Sequence, residues 1–380
     1  MKPINVTWQG PAFDPSGYGA ATRGYLTRMS NHPNVNLSLK TRYFFSGDRP
    51  MLDRSTVTKL MSLSNNTSFS DGISLQHLTP DCYHISPRVR AHVGMTTFET
   101  DSIPNAWQMP LRAMDHIVVF SNFNAKVFRE RGINRPITVI PHGVDSNLFA
   151  PGGSKLDFVQ KLPKDCFVFG SNFDWTARKN PEALLSAYFS TFKRSDHVCL
   201  ALKVYHQRPY EKSLQVIKSR ISAIAARHGY AMGKQPHVAL LSSIWSESAM
   251  PSFYNSLDCY VLPSRGEGWS LTHAEAMSCG LPTIGINWGG STDFMRYENS
   301  ILIDDYKLET ITAQHEVPAH YHGHKWADCN VDALAASMKS VFNATSDDRK
   351  LIGDLARKTI VENFTWEGAT SKLVDFLCTV

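Results

Sequence analysis

Short apolar runs alternate along the chain with segments in which apolar residues recur every three or four positions. The runs lie at residues 4–8, 116–120, 137–140, 166–170, 200–204, 238–241, 259–262 and 283–286. They predict strands. The periodic segments at 20–29, 125–131, 181–192, 214–228 and 272–278 predict helices. Pro181 opens one helix and Gly280 follows another, the usual places for those residues. Strand–helix alternation of this kind predicts a parallel α/β architecture. Residues 141–153, PHGVDSNLFAPGG, carry two Pro and three Gly between periodic segments and predict the domain boundary. Two α/β halves, 1–145 and 146–363, joined by a hinge imply a cleft, with ligands on the loops that leave the carboxyl ends of strands.

The length of 380 residues fits two or three domains at roughly 150 residues each. Hydrophobic residues at 42% and charged residues at 19% describe a globular protein and exclude disorder as its main state. The formal charge of +5 suits nucleotides, phospholipid headgroups or nucleic acid and selects none of them. No apolar stretch approaches the about 20 residues of a membrane span. Residues 1–8 run straight into the first strand, without a signal-peptide core. The seven Cys form no CxxC and read as free thiols in a reducing compartment. A cytoplasmic protein is expected.

The most informative segment is PSRGEGWSLTHAEAMSCGLPTIG, residues 263–285. A strand runs into a Gly-containing loop, and a helix starts near Ser270 or Leu271. The backbone N–H groups at such a start suit a phosphate. Glu267 precedes them and Glu275 follows eight residues later. Phosphates repel carboxylates, so these two suit neutral sugar hydroxyls. The competing reading makes Glu267 a helix cap and Glu275 half of a surface ion pair. Gly17-Tyr18-Gly19 lies on the predicted first loop, but Thr22 occupies the third glycine position and breaks the dinucleotide fingerprint. His315, His320, His322 and His324 near Cys329 and Asp328 resemble a zinc-ligand set. The segment reads as a loop without a paired Cys framework, and no metal site is expected. No serine-hydrolase elbow and no P-loop occur.

Residues 263–285 resemble the E-x7-E segment of the family 4 retaining glycosyltransferases, which have the GT-B fold. Ser270 stands where that family has its second Gly. The resemblance covers most of the chain. HIVVFSNFNAKVF matches the strand–Ser–helix element, PHGVDSNLF the interdomain segment, and LDCYVLPS the strand before the donor loop. Gly289-Gly290 matches the glycine pair after the next strand, and FTWEGATSKLVDFL the helix that crosses back to the N-terminal domain.

The resemblance implies two Rossmann-like domains facing across a cleft. Residues 1–145 with the helix 364–380 would form the acceptor domain, and 146–363 the nucleotide-sugar domain. It implies that Lys179, in DWTARKNP, binds the donor diphosphate, with Arg178 beside it. Glu267 would hold sugar hydroxyls and Glu275 the ribose. The amides of Gly268, Trp269, Ser270 and Leu271, and the backbone of Gly17, Tyr18 and Gly19, would meet phosphate. The backbone of Ile244 would meet the base. Glu99 stands where many members carry a His against the transferred sugar. Ser171-Asn172 replaces the family's Gly-Arg pair, and Arg178 or Arg23 would have to supply the second cation.

The implied reaction is metal-independent, retaining transfer from a UDP- or GDP-linked sugar in glycan biosynthesis, with no cofactor. The acceptor would be a glycan, a lipid-linked glycan or another hydroxyl compound, a nucleic acid base included. With a lipid-linked acceptor the positive charge would help docking at an anionic membrane face. A nucleotide-sugar 2-epimerase and a non-catalytic nucleotide-sugar-binding regulator are the alternatives.

Overall fold

A computed structural model describes residues 2–44, 51–205, 210–231, 233–242 and 245–380. The chain forms two compact units. The first comprises Met1–Asp145, Trp245–Glu247 and Glu362–Val380, and the second Ser146–Ile244 and Ser248–Val361.

The first unit begins β1 (Ile4–Gly10), α1 (Gly17–Met29), β2 (Val35–Thr41), α2 (Arg54–Asn65), β3 (Ile73–His77) and β4 (Ala91–Met95). It continues α3 (Gln108–Ala113), β5 (His116–Val119), α4 (Asn122–Glu130) and β6 (Ile137–Val139). The strands form one parallel sheet in the order β2-β1-β3-β4-β5-β6. The order reverses between β1 and β3. In such sheets the crevice for a ligand opens at the carboxyl ends of the strands where the order reverses. A cluster of rings packs behind this point. Tyr25 lies 5.7 Å from Trp8 and 5.1 Å from Trp366, and Phe120 lies 3.6 Å from His142 and 5.5 Å from His77. Burial keeps both histidines neutral, with His77 pushed down to about 3.

The sequence pattern missed β2, β3 and β4 because polar residues interrupt their apolar runs. In β3 and β4 those polar residues are buried, and the inside supplies partners. Gln76 bonds both backbone groups of His84, at 2.7 Å each, and Thr22 Oγ1 lies 2.8 Å from His77 Nδ1. The segment 44–71, which carries no apolar period in the sequence, contains α2. It buries only Leu60 and Leu63, too few apolar positions to show a period. Residues 45–50 lie outside the described part.

The second unit runs β7 (Phe167–Asp174), α5 (Pro181–Thr191), β8 (Val198–Tyr205), α6 (Tyr210–Arg227), β9 (His237–Leu241) and α7 (Met250–Tyr254). Then come β10 (Cys259–Leu262), α8 (Leu271–Ser278), β11 (Thr283–Ile286) and β12 (Ile301–Ile303). A hairpin of β13 (Tyr306–Thr310) and β14 (Lys325–Cys329) is followed by α9 (Val331–Asn343) and α10 (Ser346–Asn363). The parallel sheet is ordered β12-β11-β10-β7-β8-β9. Counted from β7 this is the 3-2-1-4-5-6 order of a Rossmann sheet, read from the opposite edge, and it reverses between β7 and β10. Its core is apolar on both faces, with Phe169, Leu200, Leu202, Tyr260 and Leu262 fully buried. Residues 316–329, expected to be a loop, end in β14.

The last helix, α11 (Trp366–Thr379), belongs to the first unit and packs against α1. Its approach is fixed by a parallel bridge between Val144 and Thr365. Arg28 also donates to Glu367 at 3.1 Å and to Asp145 at 2.8 Å. No helix among the described residues is long and apolar enough to cross a membrane. All seven cysteines are free thiols, and Cys199, Cys259, Cys279 and Cys329 are buried.

Candidate functional site at the second switch point

Two loops leave the sheet at the β7/β10 reversal. The first follows Asp174, makes one turn over Ala177–Lys179 and enters α5 through Asn180, whose backbone is left-handed at φ 54°. Asn tolerates that conformation, and its side chain accepts the Ala183 N–H at 3.4 Å, capping α5. The second loop runs from Leu262 to Ser270. Backbone and side chains clamp the two together. Arg265 N–H donates to Arg178 O at 2.7 Å, the Arg178 guanidinium to Gly266 O at 2.7 Å, and Ser264 Oγ to Arg178 O at 3.3 Å.

This clamp brings Lys179 onto the Glu267 carboxylate and holds Arg178 Nη1 3.4 Å from the same oxygen. The three side chains are 14%, 20% and 10% exposed for Lys179, Arg178 and Glu267. Burial alone would raise the Glu267 carboxyl. The two cations and the Lys179 hydrogen bond outweigh it and bring it down to about 2. From the loop after β11, Gly290 N–H donates to Glu267 O at 2.7 Å. Glu267 therefore does not cap α8. It is a carboxylate between two cations at a strand-order reversal, a place that can exchange its internal partner for an anionic ligand.

The start of α8 departs from the usual pattern. Ser270 is its N-cap residue yet has φ 81° and ψ 73°, and no side chain caps the helix. A positive φ explains why glycine suits this position. The Ser270 hydroxyl is 2.8 Å from His273 Nδ1 instead. The first-turn N–H groups of a helix have no intrahelical partner, and an uncapped start costs about 1 kcal/mol. One turn on, Glu275 Oε2 accepts the Tyr254 hydroxyl at 2.6 Å, and the same hydroxyl lies 3.2 Å from Asn172 Oδ1. Glu275 is thus a half-buried, oriented carboxylate.

A third layer supports the loops. Asp328 on β14 accepts from Arg265 Nε at 2.7 Å and from Asn180 Nδ2 at 3.2 Å. Arg265 also donates to Ala177 O at 2.7 Å and lies over the Trp326 ring at 5.2 Å. One carboxylate thereby ties the residue after Lys179 to the residue two before Glu267. Sequence reasoning missed Tyr254, Asn172 and Arg265 as parts of this site, because their partners are 21 to 88 positions away. It also missed His273, which meets Ser270 only through that residue's left-handed backbone. Asp328 was weighed only as a neighbour of a metal site. Among the described residues no three His, Cys, Asp or Glu side chains could jointly hold a metal ion. His315 turns to Glu309 at 3.4 Å, and His320 stacks on Tyr321.

The remaining predicted residues divide as follows. Gly268, Trp269, Ser270 and Leu271 lie on the loop and helix start just described. Gly17, Tyr18, Gly19 and Glu99 lie in the first unit. Gly17, Tyr18 and Gly19 form the first turn of α1, not a loop. Ser16 Oγ accepts the Gly19 N–H at 3.2 Å, and a Cβ on Gly19 would stand 2.0 Å from Asp14 O. A close approach, not a positive φ, requires that glycine. Tyr18 is pinned to the loop that carries Glu99, its hydroxyl 3.0 Å from Thr96 Oγ1. Arg23 donates to Ala12 O at 3.0 Å, to Asp14 O at 2.8 Å and to Glu247 at 2.8 Å. Ile244 lies outside the described residues.

Residues 164–315 match the family described as glycosyl transferases group 1. The chain is 30% identical over 166 residues to the Escherichia coli UDP-Gal:alpha-D-GlcNAc-diphosphoundecaprenol alpha-1,3-galactosyltransferase, covering 43% of this chain and 39% of that protein. It is 25% identical over 205 residues to the lipopolysaccharide core biosynthesis mannosyltransferase LpsB of Rhizobium meliloti, covering 49% of each. The chain spans less than half the length of these curated relatives. Its fold matches that of Anabaena HepE in complex with UDP and glucose, with a TM-score of 0.67 at 14% identity over 99% of this chain and all of that one. The expected GT-B class is therefore the fold of this chain.

Proposed function

We propose that this chain, whose residues 164–315 belong to the group 1 glycosyl transferases, moves a sugar from a nucleotide diphosphate sugar to an acceptor hydroxyl in glycan or glycoconjugate biosynthesis. The observation that carries this reading is the Arg178–Lys179–Glu267 cluster at the β7/β10 reversal, beside an uncapped helix start. Two cations gathered on one carboxylate beside the backbone N–H groups of a helix start form a donor set that suits a diphosphate.

Lys179 and Arg178 would neutralise the charge that grows on the diphosphate as the glycosidic bond breaks, and the amides of Gly268, Trp269, Ser270 and Leu271 would add to it. Arg178 takes the place of the Arg that Ser171-Asn172 lacks. When diphosphate engages Lys179, Glu267 is released toward the sugar hydroxyls. Glu275, oriented by Tyr254, accepts from the ribose. Retention follows from a front-face attack in which the leaving diphosphate takes the acceptor proton, and two protein cations balance the diphosphate without a metal ion. Tyr18, in the first turn of α1, is hydrogen-bonded to the loop that carries Glu99, and acceptor or sugar hydroxyls would be received there. A UDP-linked donor is supported by the UDP bound to HepE. A glycan or lipid-linked acceptor is supported by the names of the galactosyl- and mannosyltransferase relatives.

The test is a calorimetric titration of the purified chain with UDP, GDP, ADP, CMP and their common sugar conjugates, with Glu275→Ala alongside. Tight binding of one diphosphate, weakened by Glu275→Ala, is expected. Binding of none of them sinks the reading.

A further inference from the structure

His273 is 2% exposed and sits on the second residue after the start of α8, between the ring of Tyr260 at 5.4 Å and Gly285, where a Cβ would stand 3.0 Å from Nε2. Both ring nitrogens are used. Nε2 lies 3.3 Å from the Ile284 carbonyl, which can only accept, so the proton of the neutral ring is on Nε2. Nδ1 is left as an acceptor, and the Ser270 hydroxyl donates to it at 2.8 Å. Burial favours this neutral form and pushes the imidazole down to about 4.

Ser270 needs such a partner. Its backbone is in the left-handed region, which a residue with a Cβ adopts only when its surroundings hold it there. A serine at an N-cap ordinarily turns its oxygen onto the first-turn amides, as Ser16 does on α1. Here the hydroxyl is drawn the other way, and no side chain takes those amides.

We infer that His273 is a positioning residue for the donor phosphate: by accepting the Ser270 hydroxyl it holds residue 270 left-handed and turns the amides at the start of α8 toward the ligand. This rests on the nucleotide-sugar reading above. His273 itself touches no substrate. The pair does for this chain what a glycine at 270 does without help.

A double-mutant cycle in the full chain tests this, with UDP and GDP as probes in calorimetric titrations and thermal melts on every variant. His273→Leu is expected to weaken nucleotide binding about tenfold when Ser270 is present. Added to Ser270→Gly it is expected to weaken binding less than about threefold, because glycine needs no hydrogen bond to stay left-handed. Loss of the Ile284 bond is common to both arms and cancels. Equal losses in the two arms, or no loss in either, overturn the inference while binding that is sensitive to Lys179→Ala keeps the donor site. A wild-type chain that binds neither nucleotide overturns the donor site and the inference with it. Should His273→Leu melt below the assay temperature, Ser270→Ala carries the comparison. It keeps a Cβ without the hydroxyl and is expected to bind about tenfold more weakly than Ser270→Gly. Equal affinity of those two overturns the inference.

Discussion

Each unit contains a parallel six-stranded sheet whose strand order reverses beside its opening strand, and a helix N-terminus lies at both reversals. The two helix starts are finished in opposite ways from the same residue type. At α1, Ser16 has φ −72° and ψ 168° and caps the Gly19 amide. Around it, Asp14 accepts the Ser16 and Phe44 N–H groups at 2.9 and 3.1 Å, and Arg23 takes two loop carbonyls. At α8, Ser270 is left-handed, its hydroxyl is turned to His273, and two cations crowd one carboxylate. The first start satisfies its polar groups from within. The second sets two cations on one carboxylate and leaves its helix without a side-chain cap. A fold-level switch point thus provides only a location, and the side chains around it decide whether an anion belongs there.

The comparison is broken most directly at Lys179. Lys179→Ala should lower turnover about 100- to 1000-fold, the scale of losing one electrostatic group from a transition state, with a much smaller effect on the melting temperature. Turnover within threefold of wild type would mean that the Lys179 charge at the second switch point has no catalytic use.

Acid titration addresses the same cluster. The folded chain binds the Glu267 proton less tightly than the unfolded chain does. The stability this pair contributes, on the order of 3 kcal/mol, is complete above about pH 4.5 and is lost as pH falls toward about 2. His273 and His77 are also depressed, to about 4 and about 3, so their contributions begin to fall below about 6.5. Melting temperatures from pH 8 to 2.5 should therefore fall in two stages. Glu267→Gln should make the later one shallower, while His77, His142 and the lowered Asp53, Asp304 and Glu309 keep part of it. A variant whose slope below pH 4.5 matches wild type would show that the ion pair contributes nothing to folding.

Glu267→Gln should also separate binding from chemistry. It frees Lys179 for phosphate, so nucleotide affinity should hold or tighten. Transfer should fall on the order of tenfold or more as a charged sugar contact is lost. Weaker nucleotide binding would mean that Glu267 holds Lys179 and Arg178 in place for the diphosphate.

The smallest effect is expected at the first switch point. Ser16→Ala should cost about 1 kcal/mol, a melting shift of about 2–4 °C, and leave UDP affinity within about twofold. A loss beyond about fivefold would mean that the start of α1 also grips the donor, and the contrast between the two helix starts would disappear.

The strands of the second unit were readable because they are apolar on both faces. Residues 259–262 and 283–286 were expected as strands and are β10 and β11. In the first unit, β3 and β4 carry Gln76, His77 and His92 inward, and a hydropathy pattern has no way to see that each has a partner. The site divides in the same manner. The segment 263–285 placed Glu267, Glu275 and a helix start at the end of a strand by local order alone, and DWTARKNP placed Arg178 and Lys179 on a loop before a helix.

Sequence by itself thus determined the class of architecture, the loops that carry charge, and the kinds of group on them, because hydrophobic period and turn chemistry are local. Tertiary structure decided which charges meet. Lys179 reaches Glu267 across 88 positions only because β7 and β10 are adjacent in the sheet, and Asp328 joins them from a hairpin. It also decided that Ser270 would turn from its helix to His273. Strand pairing and backbone handedness are set by packing against distant chain, which carries no signature in the neighbouring sequence.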